Sequence, residues 1–234
     1  MTPRELRTQQ TLAFVVDVLG GRRRVLEVGC GRGEVARALA ARGLAVTALD
    51  LALPDPQPAP NVSYVELDFL AFRGPPFDAI LFTSSLHHIA PLENAIVHAS
   101  ELLAPGGVLV VDDFDLERPD HTTLAWYYET QELLAAAGLY DHHRLDPGTD
   151  AMARWRDSHA HDPPLHTGVE MRTAIAARLD SLAVRPAPYL YRYIASGLPP
   201  DERGGAIAAH VLATEERRIA EGSLAAVGLR IVAA

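Results

Sequence analysis

Short β-branched runs alternating with helically spaced apolar stretches predict an α/β fold. The expected architecture is a doubly wound, mostly parallel seven-stranded sheet with helices on both faces and a partly helical cap insertion. Residues 4–19 space Leu12, Val15, Val16 and Leu19 at three- and four-residue intervals, giving a one-faced helix that Gly20 and Gly21 stop. A first strand covers 24–29, and beyond its glycine turn a helix runs from 33 to 41. The second strand is 45–50. Pro54, Pro56, Pro58 and Pro60 then hold a loop extended ahead of a third strand at 62–67. A fourth strand at 77–83, a helix at 92–103 and a fifth strand at 107–112 complete the alternation. After Phe114 the rhythm changes. A helix at 122–137, stopped by Gly138, leads into a stretch rich in His, Asp and Pro, with short helices at 150–158 and 170–181. Residues 188–194 read as the sixth strand, with Tyr189, Tyr191 and Tyr193 on one face, and a helix at 200–221 precedes a closing strand at 228–233. The expected organisation is one domain: a core over about 20–114, a cap over about 138–186, and C-terminal strands with an intervening helix over 187–234.

Composition narrows what such a domain can do. The chain has 234 residues, 48% of them hydrophobic, which is enough for a substantial core. Its formal charge is -9, and all 21 basic residues are Arg. Without Lys there is no Schiff-base chemistry and no Walker-type phosphate loop, and an acidic chain repels nucleic acid. A lone Cys30 excludes an intramolecular disulfide, the polar first ten residues do not resemble a signal peptide, and no apolar run approaches membrane-spanning length. A cytoplasmic protein that contacts neither nucleic acid nor membrane is expected.

The strongest local signal is Glu27-Val28-Gly29-Cys30-Gly31-Arg32-Gly33 at the end of the first strand. Glycines there allow close backbone approach at the carboxyl edge of the sheet, where open α/β folds bind ligands. The spacing departs from a dinucleotide fingerprint, which would place a third glycine where Glu34 stands, and Glu34 suits a cationic ligand better than a pyrophosphate.

These residues, with Asp50, Asp68-Phe69, the run from Phe77 to Ile89 and the run from Leu102 to Asp112, resemble in order the class I S-adenosylmethionine-dependent methyltransferases, small-molecule branch. The resemblance covers 25–114 and implies a Rossmann-like sheet with S-adenosyl-L-methionine as cofactor. It assigns Glu27, Gly29, Cys30, Gly31 and Gly33 to the loop around the cofactor's amino-acid and ribose portion. Asp50 and the following Leu51 go to the ribose, Asp68 and Phe69 to the adenine, and Ser84 to the cofactor from the end of the fourth strand. Asx turns are the plain alternative for Asp50 and Asp68, and Cys30 is expected to be chemically inert.

The methyl acceptor is implied to be a small molecule, methylated on oxygen, nitrogen or carbon. A general base is needed for a hydroxyl or protonated amine, and His serves best near neutrality. His87 and His88 follow the fourth strand and read as base or as pocket wall. His159 and His166 in the inserted segment are further catalytic candidates, with solvated loop histidines as the alternative. Asp113, Tyr127, Trp155 and Tyr191 are candidate substrate contacts; Trp155 and His159 lie four apart and face the same way on a helix. The segment 114–186 carries seven Arg against twelve acidic residues, which favours a neutral or cationic acceptor, with the aromatics suiting a ring. No metal is expected, since His142, His143, His159, His161 and Asp162 match no established ligand spacing. Arg192, between apolar neighbours, calls for a carboxylate or an anionic ligand. The helix at 200–221 is read as part of the lid or as a homodimer contact. Alternatives from other classes are a cofactor-binding enzyme with a non-methylating reaction such as cyclisation, a protein or RNA methyltransferase, and a nicotinamide oxidoreductase.

Overall fold

A computed structural model describes residues 1–140, 150–161 and 163–234. The described elements are α1 (Pro3–Leu19), β1 (Arg24–Val28), α2 (Glu34–Ala40), β2 (Ala45–Asp50), β3 (Val62–Glu66), β4 (Phe77–Thr83), α3 (Leu92–Leu102), β5 (Leu103–Phe114), α4 (His121–Ala136), α5 (Ala151–Ser158), α6 (Gly168–Ala176), β6 (Leu182–Ala187), α7 (Leu190–Ser196), α8 (Glu202–Ala220) and β7 (Gly228–Ala233). The seven strands form one sheet in the order β3-β2-β1-β4-β5-β7-β6. Pairings of β1 with β2 and β4, of β2 with β3, and of β4 with β5 are all parallel. The doubly wound fold read from the alternation is the fold observed.

Two compact units divide the chain. The first comprises Met1–Gln9, Asp115–Leu165 and Pro186–Gly228; the second comprises Gln10–Phe114, His166–Arg185 and Leu229–Ala234. In the second, β1 and β4 are buried on both faces because each is a near-continuous apolar run, as parallel strands between helical layers require. One face packs Leu26, Ile80, Phe82 and Leu109 with Ala95, Ile96, Met171 and Ile175 from α3 and α6. The other packs Val25, Val46, Leu81 and Val110 with Val15 and Leu19 of α1 and Ala36 and Leu39 of α2. Polar caps start the later helices. Asp120 accepts the Thr123 amide at the head of α4, Asp150 that of Ala153 at α5, and Thr167 with Glu170 forms a reciprocal capping box at α6.

One strand is misplaced by sequence reasoning. Residues 188–194 are not a strand; Leu190–Ser196 is the helix α7, and the remaining strand is β6 at Leu182–Ala187. The cause is tertiary. In the first unit Glu215, fully buried on α8, accepts the main-chain amides of Tyr189 and Leu190 with Oε1, at 2.8 and 3.0 Å, and of Tyr191 with Oε2 at 2.8 Å. A carboxylate that takes three successive amides fixes a helical start and overrides the β preference of tyrosine and isoleucine.

Candidate active site

In the second unit the ends of β1, β2 and β4 assemble the glycine loop. Gly29 and Cys30 donate their amides to the Leu49 carbonyl at 2.8 and 3.1 Å, and Gly31 donates to Asp50 Oδ2 at 2.7 Å. The loop therefore folds over the end of β2, with Gly29, Gly31 and Gly33 all at positive φ. The three glycines have different reasons. A Cβ on Gly29 would collide with Ser85, one on Gly33 would come within 2.6 Å of the Tyr64 ring, and one on Gly31 would meet no atom within 4 Å. Gly31 thus borders open space, where a side chain would intrude on whatever the loop holds.

Glu27 is the electrostatic centre of this corner. It is 1% exposed; Oε1 accepts the Thr83 hydroxyl at 3.1 Å, while Oε2 is buried with no hydrogen-bond partner. Burial pushes its pKa up to about 8, with the Glu34 and Asp50 charges adding in the same direction. A cation beside Oε2 would supply the missing partner. Cys30 is also buried, and burial with the Glu27 and Asp50 charges raises its thiol to about 12, far from a thiolate at neutral pH. Asp50 keeps acceptor capacity on both oxygens beyond its bonds to Gly31 and Ala52. Asp68 accepts the Leu70 amide with Oδ1 at 2.7 Å, capping the short 3₁₀ turn Phe69–Ala71, and Oδ2 is left over. The Phe69 ring belongs to the core, edge-on to Phe82 at 5.4 Å. Leu51 is 71% exposed, and Ser84 holds a left-handed backbone while donating its amide to the Asp112 carbonyl.

Beside this loop, residues 86–89 form a turn that carries His87 and His88. His87 is 5% exposed, and its Nδ1 lies 2.7 Å from Oδ1 of Asp113, which is fully buried. Asp113 also accepts the amides of Phe114 and His87. A carboxylate can only accept at Nδ1, so the contact selects the Nδ1–H tautomer and directs the ring's other nitrogen, Nε2, away from Asp113. His88 is exposed and lies against His87 with ring centres 4.1 Å apart. His166 is tied to the same turn: its amide donates to the His87 carbonyl at 2.9 Å and its Nε2 to the Ile89 carbonyl at 3.0 Å. These two bonds anchor His166 to the turn at both its amide and its ring.

Three of the other candidates, Tyr127, Trp155 and His159, meet in the first unit. Tyr127, Trp155 and Tyr193 pack edge-to-face with centres 5.9–6.3 Å apart, and the His159 ring lies 3.9 Å from that of Trp155. Trp155 donates its indole N–H to the Leu116 carbonyl at 2.9 Å. His159 Nδ1 is 2.8 Å from the Trp155 carbonyl, which can only accept, so Nε2 is the acceptor for the Tyr193 hydroxyl at 3.1 Å. Both of its ring nitrogens are engaged. Tyr191 is buried on α7, and burial raises the Tyr127 phenol well above its ordinary value. Among the described residues no group of three His, Cys, Asp or Glu could hold a metal ion; His142, His143 and Asp162 lie outside the described residues.

A methyltransferase-domain family model matches residues 3–150, more than half of the chain. The chain belongs to the methyltransferase family. An uncharacterised methyltransferase of Mycobacterium tuberculosis is 28% identical over 173 residues, spanning 70% of this chain and 82% of the relative. A ubiquinone biosynthesis O-methyltransferase of Xylella fastidiosa is 44% identical over 101 residues, covering only 38% of this chain and 40% of that enzyme. Among solved structures, a Burkholderia thailandensis 1,6-didemethyltoxoflavin-N1-methyltransferase with bound S-adenosylhomocysteine shares the fold with a TM-score of 0.55 at 18% identity, covering 97% of this chain and 77% of that one. A Haemonchus contortus phosphoethanolamine N-methyltransferase in complex with S-adenosylmethionine gives 0.57 at 14%, covering 96% and 52%. This methyltransferase uses S-adenosylmethionine, and its residues fit that group. Glu27 offers a buried, unpartnered carboxylate oxygen to a cation, Gly31 leaves open space, and Asp50 offers acceptors to ribose hydroxyls.

The contact of Asp113 with His87 is what sequence reasoning missed: Asp113 stands there among the candidate substrate contacts, and in the structure its carboxylate lies 2.7 Å from His87 Nδ1. The signal available was the pair Asp112-Asp113 at a strand end. Strand alternation sends the two to opposite faces, and Asp112 is taken by the Thr11 hydroxyl at 2.7 Å and Arg230 Nε at 3.1 Å.

Proposed function

We propose that this methyltransferase methylates a small molecule at an oxygen or nitrogen that must lose a proton, with His87 as general base and Asp113 as its positioning residue. The observation that carries the reading is the 2.7 Å contact between two buried side chains, His87 Nδ1 and Asp113 Oδ1. Bound S-adenosylmethionine supplies a methyl group already activated on a sulfonium. The protein's task is then alignment, exclusion of water and removal of one proton. Asp113 fixes the tautomer, so Nε2 accepts the proton that the acceptor's hydroxyl or ammonium gives up. The turn 86–89, pinned by His166, keeps the imidazole in place. Glu27 and the glycine loop bind the cofactor's amino-acid portion, Asp50 and Leu51 its ribose, Asp68 and Phe69 its adenine, and Ser84 flanks it.

The ubiquinone biosynthesis O-methyltransferase similar to part of this chain, and the 1,6-didemethyltoxoflavin-N1-methyltransferase that shares its fold, support a small-molecule acceptor. Incubation with labelled S-adenosylmethionine and a panel of phenols, catechols and heteroaromatic amines tests the reading. Label should move to at least one acceptor class and be lost in His87→Asn. Transfer that is undiminished in His87→Asn would remove the base from the account.

A further inference from the structure

Within the second unit, α1 and the strands β6 and β7 border a cavity of about 270 Å³ that none of the candidate cofactor residues lines. Phe14, Asp17 and Val18 reach it from one row of α1, three and four residues apart. Ala183 and Arg185 of β6, and Arg230 and Val232 of β7, reach it from neighbouring strands, each pair two residues apart and so on one face of the sheet. An acid on the helix row thus faces two arginines on the strand row. Arg230 is already matched: its Nε donates to Asp112 Oδ1 at 3.1 Å and its Nη2 to the Gln10 carbonyl at 3.2 Å, with the guanidinium 5.0 Å from the centre of the Phe14 ring. Asp17 and Arg185 differ from it. They carry opposite charges and line the same cavity, yet among the described residues neither makes a hydrogen bond or an ion pair. The cavity keeps them apart. Asp17 also stands in the last turn of α1, a helix end that favours cations, and Arg22 just beyond that end donates to the Val18, Leu19 and Gly106 carbonyls instead of to this carboxylate.

We propose that this cavity binds a zwitterionic small molecule of the amino-acid class, with its carboxylate on Arg185 and Arg230, its ammonium on Asp17 and its apolar side chain against Phe14, Val18 and Val232. Guanidinium N–H donors match a carboxylate, and Asp17 with the end of α1 matches an ammonium. A ligand bearing one charge satisfies only one of the two poles. The volume lies just below the range of about 300 to 1,000 Å³ usual for drug-sized ligands, which suits a single amino acid. The site is separate from the glycine loop and does not depend on the reading of the reaction. Arg230 ties it to Asp112, the neighbour on β5 of the Asp113 that contacts His87.

The test titrates the full chain at millimolar ligand with L-leucine, with leucinamide, which lacks the carboxylate, and with N-acetylleucine, which lacks the ammonium, while backbone amide shifts are followed by NMR. L-Leucine should move the amides at 14–18, 183–185 and 230–232 saturably, and each analogue should bind about tenfold or more weakly. Arg185→Gln should narrow the gap between leucine and leucinamide, and Asp17→Asn the gap between leucine and N-acetylleucine. Both positions are exposed, so neither variant threatens the fold. Absence of saturable shifts at the cavity, or shifts confined to the glycine loop at 29–33, overturns the proposal. So does equal binding of leucine and either analogue by the parent, or an unchanged leucine affinity in either variant.

Discussion

Glu27→Gln is the substitution whose consequences the structure defines best. The side chain keeps its shape, loses the ability to ionise and exchanges one carboxyl oxygen for an amide NH2. In the folded protein the Glu27 carboxyl titrates near 8, against 4.5 when unperturbed. Between those values the unfolded chain has released its proton and the folded chain has kept it, so the unfolded state binds fewer protons and stability falls as pH rises. The contribution is fully present below about pH 4.5 and lost as pH passes 8. At about 1.4 kcal/mol per pKa unit, the gap corresponds to on the order of 5 kcal/mol, an upper bound because water reaching the carboxylate would soften it. Urea denaturation of the cofactor-free protein at intervals from pH 5 to 8.5 should show the parent losing stability relative to Glu27→Gln by a few kcal/mol across that range. Cofactor binding should behave in the opposite sense. A cation beside Oε2 favours the ionised form, so the parent's affinity for S-adenosylmethionine should rise with pH toward 8 relative to the variant's. The cofactor's own amino group titrates in both proteins, and the difference isolates Glu27. Parallel stability profiles for parent and variant would refute the argument that this carboxyl is buried and neutral until the cofactor arrives.

Three other substitutions probe separate parts of the structure. Gly31→Ala places a Cβ in open space at positive φ, so it should cost only about 1–2 kcal/mol in urea denaturation yet weaken cofactor binding measurably by calorimetry; Gly29→Ala, which collides with Ser85, should destabilise the fold outright. Asp113→Asn should abolish the preference for the Nδ1–H tautomer, readable in the ¹⁵N shifts of the His87 ring, and slow methyl transfer by about 10²-fold or more once an acceptor is in hand. Glu215→Ala orphans three amides at the start of α7 and should cost on the order of 3 kcal/mol or more in urea denaturation, with the exchange of the Tyr189–Tyr191 amides accelerated.

The first half of the fold was legible because each strand pairs a β-branched run with a glycine or proline boundary, signals that are local. The region 182–194 was not, for two physical reasons. Tyr189, Tyr191 and Tyr193 alternate like a strand, but the amides at 189–191 are held by Glu215, more than twenty residues later, and no local pattern reports that bond. Arg185-Pro186 argues against a strand, yet β6 lies at the edge of the sheet, where proline is tolerated. At the candidate site, the glycine turn was legible from its spacing and its place after the first strand, and the structure folds it over the end of β2. The difference between His87 and His88 was not, because adjacent residues on a short turn look equivalent until burial and the Asp113 carboxylate distinguish them.

The central claim is that the corner formed by Glu27, the glycine loop and Asp50 holds S-adenosylmethionine. Calorimetric titration of the cofactor into the parent protein and into Asp50→Ala tests it most directly. The account predicts saturable one-to-one binding to the parent and about tenfold or weaker binding to Asp50→Ala, which lacks the carboxylate proposed to accept the ribose hydroxyls. No heat of binding with the parent, or an unchanged affinity in Asp50→Ala, would contradict it.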